Sequence, residues 1–383
     1  MQDASSLLLR VVASLGCLAV GIALGPRTLV GRDADARFDD AEPEQRRLAD
    51  AVAAYVLGEE GEGAGVERFH TGSTRFDGEW AFGTLQMAVL GMAQVAHAHP
   101  ELAPRYRPAA TRAADTLVSG ETYAFAADAW GEGPFDDLHA GRGHAYLGYV
   151  ALALGAVREL DPETPHAALH DELVAALARR LEASPQGIVE TYPGEAYPCD
   201  IASIVGALGQ HDRLTGGDHG PLVERMAALY RERWIDPASG YLVQAIDPRT
   251  GAARDAPRGS GTALAAYFWS FADPALAHEL DRALLARGRR TALGLGAIAE
   301  YPDAHEGLGD IDSGPVLLGV SVSATGFSLA AARRRSDRSA FRELYRTASL
   351  FGVPVARGER TRFLAGGPLG NAILLAMTTA RAS

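Results

Sequence analysis

The sequence predicts an all-α fold, an (α/α)6 toroid of six helical hairpins with a small β-hairpin insert and an N-terminal apolar helix. Three observations lead there. First, six times a loop rich in Gly, Pro or acidic residues runs directly into an apolar, small-residue helix. Taking Glu79, His144, Asp200, Ser260, Ser313 and Asn371 as markers, the steps are roughly 53–65 residues, about one helical hairpin with its loops. Second, two kinds of helical pattern alternate. Amphipathic, charged segments fall at about 43–58, 104–119, 165–183, 219–234, 274–288 and 337–351. Segments apolar nearly all round fall at about 77–97, 143–158, 199–211, 260–272, 313–332 and 368–380. The first kind buries one stripe and belongs outside; the second is buried on every side and belongs inside. Third, 383 residues with 47% apolar content suit one closed ring with a large core.

Taken in order, residues 1–25 come first. Leu7 to Gly25 is apolar except for Arg10 and reads as a signal peptide or a short membrane anchor. Pro26 spoils the best small-residue cleavage point, which favours an uncleaved transmembrane helix. The expected location is membrane-anchored or exported, in a bacterial envelope, and the membrane contact runs through this segment. Residues 26–42 are polar, with Arg and Asp mixed, and read as a linker. The barrel domain is expected over 43–383. Within it, Tyr241–Ile246 and Ala252–Arg258 flank Asp247-Pro248-Arg249-Thr250-Gly251, which is turn chemistry between alternating residues and predicts a β-hairpin. Gln186 to Tyr197 reads as a looser extended excursion, and Leu293 to Asp312 as a long loop rich in Gly and acids. All of these lead into inner helices, so the rim is where function is expected.

Composition removes several chemistries. All 36 basic residues are arginine, so lysine-dependent Schiff-base, pyridoxal-phosphate, Walker-A and kinase chemistry is excluded. A formal net charge of −12 argues against nucleic acid as a partner. Cys17 and Cys199 are the two cysteines, and Cys199 is expected as a free thiol. No His-Glu-x-x-His motif or cysteine cluster is present, and His166/His170 fall on an outer helix, so no metal is expected.

The densest chemical constellation spans Glu190 to Asp200, with Glu190, Tyr192, Glu195, Tyr197, Cys199 and Asp200 just ahead of an inner helix. Its plain reading is Asp200 as a first-turn acid and Tyr197 as packing. Its chemical reading is an acid/base cluster in which a helix N-terminus lowers the Cys199 pKa. His144 opens the second inner helix, followed by Tyr146 and Tyr149, with His139 and Asp136-Asp137 upstream to orient it. Glu79-Trp80 stand in the first junction, where a Trp beside a carboxylate can raise its pKa or simply pack. Glu300, Asp303, Glu306, Asp310 and Asp312 form an acidic loop that is either solvated surface or one half of a carboxylate pair across the funnel. The expected catalytic set is His144, Glu190, Cys199 and Asp200; the expected substrate-binding set is Glu79, Trp80, Tyr146, Tyr192, Tyr197 and Asp312.

At Gly143-His144-Ala145-Tyr146-Leu147-Gly148-Tyr149 and Tyr197-Pro198-Cys199-Asp200 the chain resembles the linalool dehydratase/isomerase superfamily. That resemblance implies an (α/α)6 barrel, no cofactor, acid/base addition or removal of water at an allylic alcohol, and sites completed across subunits of a homo-oligomer. By position, His144 is similar to the family's site histidine and Cys199 to the second of its two cysteines. Glu190 stands where the first cysteine is expected, and Asp200 replaces the usual Asn, both making the pocket more acidic.

Three functions follow as expectations. The first is a cofactor-free lyase or isomerase acting on a small alcohol-bearing substrate. The second is a glycoside hydrolase or polysaccharide lyase with paired carboxylates, suggested by the acidic rim and by Trp80, Trp130, Tyr192, Tyr197 and Trp269. The third is a non-catalytic, membrane-anchored binding protein.

Overall fold

The computed structural model describes residues 25, 28–59, 69–136, 138, 141–302 and 305–381. Six inner helices follow the expected rhythm: α3 (Thr74–Ala98), α6 (Leu147–Leu160), α8 (Pro198–Thr215), α10 (Gly259–Trp269), α12 (Val322–Arg334) and α14 (Gly367–Thr378). Each packs on the next, and α14 returns to α3, so the ring is closed. The outer helices are α2 (Glu42–Leu57), α4 (Ala103–Leu117), α7 (Ala167–Ala183), α9 (Gly220–Leu229), α11 (Pro274–Ala283) and α13 (Arg338–Gly352), each against an inner helix. Two short helices, α1 (Ala34–Phe38) and α5 (Ala124–Trp130), complete the helical set among the described residues. Alanine and glycine at the contacts let inner helices approach closely: a Cβ on Gly148 would meet Ile204 N of the neighbouring helix at 2.5 Å. The core runs continuously through all six hairpins.

Several inserts differ from expectation. The segment expected as a linker is folded onto the barrel from Asp33 on. Its acids meet arginines of the last hairpin, with Arg342 Nε on Asp35 at 2.6 Å and Arg333 donating to Asp40 and to the Arg37 carbonyl. The predicted hairpin around Asp247-Pro248 is present only as isolated antiparallel bridges, Val243 with Pro257 and Ile246 with Ala253. Regular strands form elsewhere. β1 (Arg289–Ala292), β2 (Leu295–Ala299), β3 (Val316–Leu317) and β4 (Val320–Ser321) make an antiparallel sheet in the order β1-β2-β4-β3. The fifth inner helix therefore starts at Val322, not near 313. Leu318 and Gly319, both at positive φ (53° and 79°), make the two-residue turn that this hairpin requires. β5 (Pro354–Arg357) and β6 (Arg360–Phe363) form a second hairpin before α14. No helix of the described residues is long and apolar enough to cross a membrane, and the apolar stretch before Gly25 lies outside them.

Candidate active site

Three acids from three separate junctions lie within electrostatic reach of one another: Glu79 near the start of α3, Asp200 at the start of α8 and Asp312 in the loop ahead of β3. Asp200 sits in the first turn of α8, behind Pro198 at its first position. Its Oδ1 accepts from the Tyr149 hydroxyl at 2.6 Å and its Oδ2 from the Thr191 hydroxyl at 2.6 Å. The Cys199 thiol donates to Oδ1 at 3.6 Å. Burial nevertheless leaves the Asp200 pKa above the ordinary carboxylate range, because three neutral donors only partly replace water.

Glu79, in the second turn of α3, accepts a short hydrogen bond from the Tyr192 hydroxyl. The Tyr192 ring is covered by the Arg75 guanidinium at 4.4 Å. Burial, opposed by the Tyr192 bond and reinforced by the charges of Asp312 and Asp200, pushes the Glu79 pKa up to about 7. Asp312 is open to solvent on its own surface yet enclosed by protein on most sides. That enclosure, with Asp310 and Asp200 nearby, pushes its pKa up to about 6. Burial and like charge raise Glu79 and Asp312, and burial raises Asp200, so each loses its proton at a higher pH than an isolated carboxyl does.

Asp312 is placed by a buried brace. Arg258 precedes α10, is almost fully buried, and forks onto Asp310 with Nη1 at 2.5 Å and Nη2 at 2.9 Å. Its Nε donates to Glu300 at 2.9 Å, and Glu300 in turn accepts from the Ser260 hydroxyl at 2.6 Å. Asp310 Oδ1 then accepts from the backbone N–H groups of Asp312 and Ser313, which fixes the turn that presents Asp312.

The other expected residues take different places. His144 is 2% exposed, with its ring 4.8 Å from Trp130 and its Nδ1 bonded to the Tyr146 hydroxyl. The local backbone explains this. Gly143 and His144 both have positive φ, and a Cβ on Gly143 would meet Trp130 at 2.2 Å, so the chain turns the imidazole inward. Burial, then Arg180, lowers its pKa to about 4, which keeps it neutral. Asp136 accepts from the Gly133 N–H and does not orient it; Asp137 and His139 lie outside the described residues. Tyr146 packs against Phe82 and Phe125 in the core. Cys199 reverses the expected direction: burial, then the Asp200 charge, raises its thiol well above 9.0, so it is a hydrogen-bond donor and not a thiolate. Glu190 turns away, accepting from the Gly194 N–H at 3.0 Å, while its carbonyl receives the Ala145 N–H. Tyr197 donates to Glu195 at 2.9 Å, and Trp80 meets Phe69 edge-on at 6.1 Å.

Sequence reasoning did not assign Tyr149, Thr191, Arg75 or Arg258 to the site. Thr191 stood inside the Glu190–Asp200 stretch, Arg258 at the fourth junction, and Tyr149 in the first turn of α6, the helix that faces α8. The Gln186–Tyr197 excursion is fixed over the site by Trp130 Nε1 donating to the Thr191 carbonyl and by an antiparallel bridge from Ala196 to Ile246.

No protein-family model matches the chain, and no curated protein is similar to it. Solved structures are similar in fold. Dfg5 from Chaetomium thermophilum, in complex with glucosamine, aligns over 89% of this chain and 91% of its own at 13% identity, with a TM-score of 0.54. The GH76 α-mannanase of Bacteroides thetaiotaomicron aligns over 78% of this chain and 85% of its own at 10% identity, with a TM-score of 0.47. Neither is a linalool dehydratase/isomerase. The fold is the all-α toroid that the alternation of helices predicted, and the likeness to these structures is one of architecture.

Proposed function

We propose that the protein is a carbohydrate-active hydrolase in which Glu79 is the general acid and Asp312 the general base or nucleophile. The observation that carries this reading is the convergence of Glu79, Asp200 and Asp312 from three junctions into one coupled group. Glycoside hydrolysis needs one carboxyl protonated and a second ionised at the same pH. Glu79 at about 7 and Asp312 at about 6 meet that requirement in the interval between. Asp200, anchored by the Tyr149 and Thr191 hydroxyls, adds a like charge that raises both. Half-buried Trp80 and exposed Arg75 offer an aromatic and a cationic contact for a sugar, while the buried Tyr192 ring lies under Arg75 and serves to hold Glu79. The dehydratase-type reading draws no support from Cys199, whose thiol is protonated and already engaged. Dfg5 was captured with glucosamine, so amino-sugar and neutral hexose oligosaccharides are the first substrates to offer.

The test is hydrolysis of an oligosaccharide and aryl-glycoside panel as a function of pH. A narrow bell with its maximum between about pH 6 and 7 is expected for kcat/KM. Glu79→Gln and Asp312→Asn should each reduce kcat by about 10²–10⁴-fold. Hydrolysis that survives both substitutions would overturn the assignment.

A further inference from the structure

We propose that His211, Asp212 and His219 form a divalent-metal site, best matched to zinc, at the end of the barrel remote from the carboxylate cluster. His211 lies eleven residues beyond Asp200 on the same helix, about 16 Å along its axis at 1.5 Å per residue. The site is therefore independent of the proposed chemistry.

Four features carry the inference. One nitrogen or oxygen from each of the three side chains lies within 4.8 Å of the other two. His211 is already oriented as a metal ligand is: its Nε2 faces Asp171 Oδ1 at 3.0 Å. A carboxylate accepts, so Nε2 carries the proton and Nδ1 presents its lone pair, the carboxylate–histidine arrangement found behind metal-binding imidazoles. That Nδ1 faces Asp212 Oδ1 at 4.0 Å. Two acceptors then confront each other across a gap that an ion with ~2.0–2.1 Å bonds bridges once the two side chains close in to tetrahedral spacing. The Thr215 hydroxyl, 3.2 Å from this Nδ1, is also directed to the His211 carbonyl at 2.9 Å.

His219 is held in place by the backbone. Its N–H donates to Asp212 Oδ2 at 2.7 Å, and its Nδ1 lies 2.5 Å from Asp212 Oδ1. A metal would replace the proton shared in that last contact, so binding releases a proton. Finally, His211 and Asp212 occupy the last turns of α8, where the helix dipole favours a cation. Side-chain exposures of 13% for His211, 20% for Asp212 and 21% for His219 leave a path for the ion and for a water at the fourth position. Two guanidiniums stand near this cluster, Arg158 held on Asp171 at 2.5 Å and Arg213 turned to the Gly209 and Phe271 carbonyls.

The ligands join the end of an inner helix to the residue before outer helix α9, so the ion would pin the turn of the third hairpin. Chelator-treated full-length protein should take up one zinc per chain in a calorimetric titration, with a rise in Tm and proton release that scales with the ionisation heat of the buffer. His211→Ala and His219→Ala should abolish that saturable uptake. Asp171→Asn, which leaves all three ligands, should weaken it by about 10–100-fold. His219→Gln provides a milder change in an exposed connection if an alanine variant fails to fold. No saturable uptake by the wild-type chain, or uptake unchanged in folded His211 and His219 variants, would overturn the proposal.

Discussion

Replacing Glu79 by Gln should stabilise the protein at neutral and alkaline pH. The carboxyl rises from its ordinary 4.5 to about 7 mainly because burial disfavours its charge. In the unfolded chain the group ionises near 4.5, so between 4.5 and 7 the folded protein holds the extra proton. Stability therefore falls as pH rises through that interval. A displacement of that size corresponds to about 3 kcal/mol at ~1.4 kcal/mol per pKa unit. Solvent reaches part of the side chain, so about 2 kcal/mol is the working figure. Gln fills the same volume, keeps an oxygen for the Tyr192 hydroxyl, and carries no charge to desolvate.

The assay is thermal or urea unfolding of both proteins from pH 4.5 to 8. At about 2.1 cal/mol/K per residue over 383 residues, 2 kcal/mol amounts to roughly 2–3 °C in Tm. The two curves should meet near pH 4.5 and separate progressively, with the Gln variant higher. Parallel curves would refute the reasoning, because the carboxyl would then cost the same in both states. A stabilised but inactive variant would show that this acid is kept at the expense of stability, as residues at working sites often are.

Three further outcomes can be checked. His144 is neutral in the fold and gains a proton on unfolding below 6.5, so its contribution is complete above that pH and is lost as pH falls toward 4. His144→Gln should flatten the acid side of the stability curve by about 3 kcal/mol, read by urea unfolding. Cys199, 9% exposed and with a raised thiol pKa, should react slowly with iodoacetamide at neutral pH in a Cys17→Ser chain, and Cys199→Ala should keep sugar hydrolysis. Arg258→Gln should cost about 3–5 kcal/mol through the unpaired Glu300 and Asp310. Its removal should also move the acid limb of the activity profile above about pH 6, since the guanidinium holds the Asp312 pKa down; an unmoved limb would count against Asp312 as the titrating group.

The ring was legible because twelve helices repeat two patterns, and periodicity survives any error in a single boundary. Where the prediction missed, a tertiary contact decided the outcome. Residues 313–332 contain enough Ala, Ser and Gly to read as one helix. Val320 and Ser321 instead pair with Ala299 and Ile298, and the helix waits until that edge is satisfied. Asp35 and Asp39 look like linker residues until Arg342 and Arg338 are seen to need partners. For the candidate site, junction position put Asp200 among the expected catalytic residues and Glu79 and Asp312 among the expected substrate-binding ones, since position follows from repeat spacing. Side-chain direction did not follow: two consecutive positive-φ residues aim His144 inward, and Tyr149 reaches Asp200 only because α6 packs against α8.

The acidic loop shows why residue type alone could not separate solvated surface from chemistry. Asp310 and Asp312 are two residues apart, and their environments drive them in opposite directions. Burial would raise Asp310, but the Arg258 fork and the N–H groups of Asp312 and Ser313 overcome it, so its pKa is lowered and it stays an anion. For Asp312 burial is not offset in that way, and the same anion and Asp200 add to it, so its pKa rises to about 6. The fixed charge holds the turn, and its field adds to the burial that raises Asp312. One arginine, supplied from the start of the fourth inner helix, thus divides a pair of like side chains into a structural anion and a proton-exchanging acid. Neither role exists in the loop by itself; both require the hairpin that brings Arg258 beneath it.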